Sequence, residues 1–364
     1  MSFVDFLLLA SGLAILIVGG EALVRAASSL ALRAGVTPLV IGLVVVSAAT
    51  SAPEFAVTLD AVVGGEPGLA VGNVVGSNIV NVLLILGLSA ALLPLVIQRQ
   101  IVRFDIPVML ALSVAVLLVS LDRSISRFEG TLLLAGLIFH VIVSVRVGRK
   151  ANAETREVSD QFSASKLMKI WFALPLLVGA IALLAFGARL LVSGAVNIAS
   201  SLGVSGLIIG LTVVAVGTSL PELVTTLIAI RRGERDMAVG NIVGSNIFNV
   251  GLVLGIPALL VTEGIPIPSA AISVDIPIMI AAALALLPIT FTGFAIARWE
   301  GGLFVLIYIA YVVFLIFDAT GHDAATGFTN LMLWFVLPLI AATLIAVTFY
   351  EIGVFKGRKS ATKI

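Results

Sequence analysis

The chain contains no cysteine, which removes disulfides, thiolate metal sites and cysteine nucleophiles from consideration. Charge is scarce too. Asp, Glu, Lys and Arg make up 11% of 364 residues, less than half of the roughly 25% usual in soluble domains. The net charge of +1 offers no electrostatic footprint for a nucleic-acid partner. Asp5 is the only charged side chain before Glu21, so the N-terminus lacks the basic segment of a secretory signal. The first apolar stretch reads as a retained helix. What the chain does have is hydrophobic mass, at 60% of residues and a mean hydropathy of +1.22. The composition is that of an all-α, polytopic membrane protein, with room for about ten spans of about 20 residues.

Hydropathy, punctuated by Gly, Pro and charge, predicts helices over 3–24, 36–60, 69–94, 104–121 and 128–148. A polar connection follows, and then 168–194, 204–230, 237–261, 271–291, 299–317 and 329–352. The division is a first five-helix repeat (1–148), a solvated cytoplasmic linker (149–166), a second five-helix repeat (167–318), and an extra C-terminal helix with a basic tail (319–364). With the N-terminus outside and the C-terminus cytoplasmic, 18 of the 21 Lys and Arg fall on the cytoplasmic side, as the positive-inside rule requires. Localisation to the cell membrane follows from this layout. An odd number of helices per half sends the second half into the bilayer from the opposite face, so the repeats are inverted.

A short motif organises the two halves. Thr50-Ser51-Ala52-Pro53-Glu54 recurs 168 residues later as Thr218-Ser219-Leu220-Pro221-Glu222. Each copy sets a carboxylate directly after a proline inside an apolar run. A charge at the centre of a membrane helix costs about 2.5–3.5 kcal/mol on insertion scales. Proline adds a lost N–H and a clash with the preceding turn. Ser47, Thr50, Glu54 and Thr58 share one helical face, as do Ala215, Thr218, Glu222 and Thr226. Freed carbonyls, hydroxyls and carboxylates make a set of hard oxygens, suited to Na⁺ and Ca²⁺ rather than soft metals. One copy alone is compatible with a kinked helix around a protonated glutamate. Two matched copies point to a shared cation site at the midplane of a secondary transporter.

The next helix in each half adds neutral oxygens at four-residue spacing: Asn73, Ser77 and Asn81, then Asn241, Ser245 and Asn249. Gly72 and Gly76, and Gly240 and Gly244, are small-residue packing surfaces. Asn73 and Asn241 fit that packing role better than a ligand role. Asp105 and Asp275 each open an Asp-Ile-Pro and read as helix caps that complement the N-terminal dipole. His140 has no evident partner at helical spacing, which leaves packing or a hydrogen bond. Trp171, Trp299 and Trp334 read as interfacial anchors.

These motifs resemble the calcium/cation antiporter superfamily, in its sodium/calcium exchanger branch. Its doubled pattern is Gly-Thr-Ser-x-Pro-Glu followed by Gly-Asn-x-x-Gly-Ser-Asn. Gly217 to Glu222 and Gly240 to Asn246 fit in full, while the first copy departs at Ala49. The resemblance implies a sodium/calcium antiporter working by alternating access, with no cofactor, no enzymatic activity and no obligate protein partner. It implies that Glu54 and Glu222 bind both ions, and that Thr50, Thr218, Ser51 and Ser219 add hydroxyl or carbonyl oxygens. By the same resemblance Ser77 and Ser245, with the carbonyls of Ser47 and Ala215, serve Na⁺, and Asn81 and Asn249 hold the middle. Potassium-dependent relatives carry an aspartate where Asn249 stands, so the resemblance argues against K⁺ cotransport. The runner-up is exchange of calcium, or another divalent cation, for protons. A channel would need a continuous pore, and an intramembrane aspartyl protease would need a Gly-x-Gly-Asp that this chain does not have.

Overall fold

The computed structural model describes residues 2–159, 168–203, 209–291, 294–321 and 327. The predicted helix over 329–352 and Trp334 lie outside them. Helix α1 (Phe3–Ala34) starts at a capping box in which Ser2 and Asp5 satisfy each other's backbone N–H, and it stops at left-handed Gly35. Two shorter helices, α2 (Pro38–Thr50) and α3 (Ala52–Val63), form one bent span. Then come α4 (Pro67–Leu92), α5 (Ile101–Val119) and α6 (Arg127–Ser159). The order repeats with α7 (Ile170–Ser201), the bent pair α8 (Thr212–Thr218) and α9 (Leu220–Arg231), α10 (Arg235–Leu260), α11 (Ala271–Leu287) and α12 (Arg298–Ala319). Among the described residues, seven helices are long and apolar enough to cross a membrane, or nine if each bent pair is one span.

All ten predicted spans that fall on described residues contain a helix, but several run longer than expected. Helix α1 continues past 24, α6 past 148 and α7 past 194. Hydropathy ends a span at the first charges, whereas a helix continues through Lys and Arg, whose stems lie along apolar surface while the charge reaches water. Residues 149–159 of the expected linker continue α6 as helix, and 160–166 lie outside the described residues. At 32 residues each, α1 and α7 are about 48 Å long, well beyond a hydrocarbon core of about 30 Å, which leaves length for tilt or for ends that extend beyond the core.

Burial separates frame from periphery. In the most apolar stretch of α4 and of α10, 78% and 83% of residues are buried, against 22% in both α1 and α7. Helices α4 and α10 therefore form the centre. Helices α1 and α7 pack on each other in opposite directions through glycines. A Cβ on Gly12 would stand 2.6 Å from the Leu191 nitrogen, and one on Gly194 would stand 2.8 Å from the Asp5 carbonyl. Two short antiparallel pairings cross between the halves: β1 (Leu95–Val96) with β4 (Ala295–Ile296), and β2 (Ser124–Ile125) with β3 (Ile265–Pro266). They pin the start of α5 beside the end of α11, and the end of α5 beside the start of α11.

Six π-helical turns occur among the described residues, in three matched pairs. They are Gly42–Val46 with Gly210–Val214, Val80–Leu86 with Asn249–Leu254, and Ile101–Asp105 with Ala271–Asp275. Such turns widen the helix and re-aim side chains, often at functional positions. The third pair corrects the capping assignment for Asp105 and Asp275. Both helices begin a turn earlier than their prolines suggest, so each aspartate lies inside a helix. Asp105 makes no cap hydrogen bond; it accepts from His140 and Ser144, and Asp275 accepts from Tyr311.

Gly244 is wedged against the Leu43 carbonyl and 2.6 Å, measured from an added Cβ, from the Ser47 hydroxyl. Gly244→Ala is expected to cost about 1–3 kcal/mol through overpacking, read as a lower unfolding temperature in detergent. Gly179→Ala, at an exposed helix position with nothing within 4 Å, is expected to leave that temperature unchanged or slightly raised.

Candidate cation site

Each bent span breaks at the serine of the repeated motif. Ser51 (φ −77°, ψ 1°) and Ser219 (φ −89°, ψ 8°) leave the helical basin, and the flanking helices meet at 43° and 52°. Pro53 and Pro221 cause the break, since neither has an N–H to give to the carbonyl four residues back. Both prolines then occupy the first turn of the new helix, where no donor is needed. The glutamate after each proline lies in that first turn, favoured there by the helix dipole. The C-terminal carbonyls of α2 and α8 face the same gap with the opposite partial charge.

Glu54 and Glu222 are both fully buried. Glu54 Oε1 accepts a hydrogen bond from Ser219 Oγ of the other half at 3.4 Å, while its Oε2 and both oxygens of Glu222 have no hydrogen-bond partner. The hydroxyls of Ser51 and Ser77 and the carboxamide oxygens of Asn81 and Asn249 are likewise buried and unpartnered. Buried polar groups are nearly always satisfied. Of the buried side-chain atoms without a partner among the described residues, seven are oxygens of the repeated motifs, contributed by both halves. Among the described residues no cluster of three His, Cys, Asp or Glu exists. The oxygen set is thus two carboxylates plus neutral groups.

Other candidates divide by role. Thr50 Oγ1 lies 3.3 Å from Ser245 Oγ and donates to Asn241 Oδ1 at 3.2 Å, which joins the halves beside the glutamates. Ser47 is buried and its carbonyl accepts from Ser51 N at 2.9 Å, so it is already engaged in the helix. Thr218 closes α8, and Ala215 lies within that helix. Asn73 and Asn241 are braces. Asn73 Nδ2 donates to the Glu54 carbonyl at 3.1 Å and to Thr58 Oγ1 at 2.9 Å, and Asn241 Nδ2 donates to Thr225 and Thr226 at 3.2 Å each.

Sequence reasoning passed over Asn78 and Asn246 as sites. Asn81 Nδ2 donates to Asn246 Oδ1, and Asn249 Nδ2 donates to Asn78 Oδ1, each at 3.0 Å. The two bonds are mirror images across the halves. The signal for them was the presence of Gly-Ser-Asn in both copies, with its asparagine three residues before Asn81 and Asn249. Glu21, which had no assigned role, pairs with Arg232 just beyond α9 and, at 3.8 Å, with Arg25. Glu21 and Arg232 are 45% and 29% exposed, so the pair is worth about 0–1 kcal/mol. Trp171 and Trp299 are exposed near the first residues of α7 and α12.

Matched helical halves, broken spans at the centre and unsatisfied oxygens between them define a membrane transporter for cations. The Sodium/calcium exchanger protein family matches residues 4–146 and 172–317, and the chain belongs to that family. It is 33% identical over 353 residues to the sodium/calcium exchanger MaX1 of Methanosarcina acetivorans, covering 87% of this chain and 100% of that protein. It is 36% identical over 264 residues to the inner membrane protein YrbG of Escherichia coli, covering 70% and 79%. The structure of the sodium-calcium exchanger NCX_Mj soaked with zero Na⁺ and Ca²⁺ superposes with a TM-score of 0.72 at 31% identity, covering 86% of this chain and 99% of that one. The chain is therefore a polytopic membrane cation exchanger.

Thr50→Val keeps the shape of the side chain and removes its hydroxyl. It strands the Asn241 carboxamide oxygen, at a cost of about 1–3 kcal/mol. Unfolding in detergent is expected to shift down accordingly.

Proposed function

We propose that this protein exchanges Na⁺ for Ca²⁺ across the membrane by alternating access, both ions competing for one midplane site built on Glu54 and Glu222. The observation that carries the reading is the seven buried, unpartnered oxygens on these two carboxylates and on Ser51, Ser77, Asn81 and Asn249 of the repeated motifs. Two charges balance one Ca²⁺, or two Na⁺ with a third held by neutral oxygens. Ser51, Ser77, Asn81 and Asn249 complete the shell, with Thr50, Ser219, Ser245, Thr218 and the backbone at Ser47 and Ala215 around it. Mutually exclusive occupancy is what antiport requires, and an empty site would leave two buried carboxylates facing each other. With three Na⁺ per Ca²⁺, each cycle moves one net charge, and the membrane potential contributes about 2.3 kcal/mol per 100 mV.

The antiparallel packing of α1 on α7 and the crossed strand pairs support inverted halves, which present one site to either face in turn. The positive-inside distribution supports an outside N-terminus and a cell-membrane location.

In proteoliposomes, an imposed Na⁺ gradient is expected to drive ⁴⁵Ca²⁺ uptake. Glu54→Gln and Glu222→Gln are each expected to reduce it at least about 100-fold, the loss of one buried charge pairing costing roughly 3 kcal/mol or more. Full activity in either variant overturns the site. Uptake that follows a pH gradient and ignores Na⁺ overturns sodium coupling in favour of proton exchange.

A further inference from the structure

Only the carbonyl end of an asparagine side chain can bind a cation, and the two ends of the amide are nearly the same shape. Something must decide which end of Asn81 and Asn249 faces the site. We infer that Asn246 and Asn78, themselves fixed by the thioether sulfurs of Met109 and Met279, are positioning residues that turn the carbonyl oxygens of Asn81 and Asn249 toward the ion. This role rests on the proposed site and deepens it.

Donors and acceptors can be followed inward from the methionines. Asn246 Nδ2 donates to Met109 Sδ and to the Asn78 carbonyl, both at 3.5 Å. Both are acceptors with no proton to give, so the amino end of Asn246 must face them. Its oxygen then faces Asn81 and accepts from Asn81 Nδ2 at 3.0 Å. That commits the Asn81 amino group outward and leaves Asn81 Oδ1 as the buried, unpartnered atom. The other half repeats the sequence of bonds. Asn78 Nδ2 donates to Met279 Sδ at 3.5 Å and to the Asn246 carbonyl at 3.3 Å. Asn78 Oδ1 accepts from Asn249 Nδ2 at 3.0 Å, which leaves Asn249 Oδ1 unpartnered.

The methionines are held in turn. One helical turn before Met109, Asp105 Oδ1 is bound by His140 Nε2 at 2.9 Å and by Ser144 Oγ at 3.1 Å, both from α6. One turn before Met279, Asp275 Oδ1 accepts from Tyr311 OH of α12 at 2.9 Å. Each half thus anchors the register of α5 or α11 by a carboxylate and a ring donor from the fifth span of that half. The elements differ in chemistry and coincide in place.

The test is the Ca²⁺ dependence of Na⁺-driven uptake in proteoliposomes. Asn246→Leu and Asn78→Leu are near-isosteric and are expected to raise KM for Ca²⁺ about tenfold, with kcat within about twofold of wild type. Met109→Leu and Met279→Leu remove only the sulfur acceptor and are expected to raise KM about three- to fivefold, because the backbone carbonyl remains. Met237→Leu, at a buried methionine whose backbone packs on Gly42, is expected to leave KM unchanged. For variants that fold poorly, His140→Gln keeps an amide donor and is expected to keep wild-type KM, while His140→Phe is expected to raise it. Wild-type KM in all four Asn and Met variants overturns the inference, as does an equal shift in Met237→Leu. If Glu54→Gln stays active, the site reading has failed instead, so the two failures are distinguishable.

Discussion

Two glutamates buried together in the middle of an apolar bundle are the constraint on which this protein depends. Such an arrangement is unfavourable for folding, and on the proposed reading a mobile cation offsets that cost. Much else in the molecule serves to build a place where that burial is tolerable. The prolines break two helices so that backbone carbonyls and a helix N-terminus meet at the same point. The deeply buried α4 and α10 separate the site from lipid. Serines and asparagines supply oxygens without adding charge.

Neutrality of the second set of oxygens matters as much as the charge of the first. On the proposed reading, two negative charges make a divalent ion and a set of monovalent ions both adequate partners, neither held irreversibly. A third carboxylate would favour tighter retention, and a third ligand of softer type would favour other metals. On that reading the asparagines set a balance, and their orientation is part of the chemistry. Their carboxamides are polar at both ends, which is why so much hydrogen-bonding structure stands behind them.

Much of this was legible in the sequence, and for definite reasons. Transmembrane helices announce themselves by hydropathy, and the doubled Thr-Ser-x-Pro-Glu pointed to two glutamates that are fully buried, because a carboxylate after a proline is costly in an apolar span. Helix lengths were less legible, because Arg25, Arg33 and the charges after 148 end a hydropathy window without ending a helix. The π turns were invisible, since one extra residue in a turn leaves no compositional trace. Asp105 looked like a cap because Pro107 follows it, but the helix had already begun at Ile101. Its partner His140 lay 35 residues away, beyond any local pattern, although Ser144 stood one turn beyond that histidine and also bonds it. The crossed Asn78 and Asn246 belong to the same class of omission, being defined only by contact between halves.

The four short strands have a bearing on how the molecule comes into being. Leu95 pairs with Ile296 and Ser124 with Pro266, so neither half can finish its own ends. The same is true of the asparagine bonds, each of which needs a residue from both halves. Without the second half, Asn81 and the strand Leu95–Val96 lack the partners they have in the folded chain. Long-range contacts of this kind form late, and site formation becomes the last event of assembly rather than an early nucleus. On the proposed reading, the ion site of this exchanger forms only when both of its halves are in place.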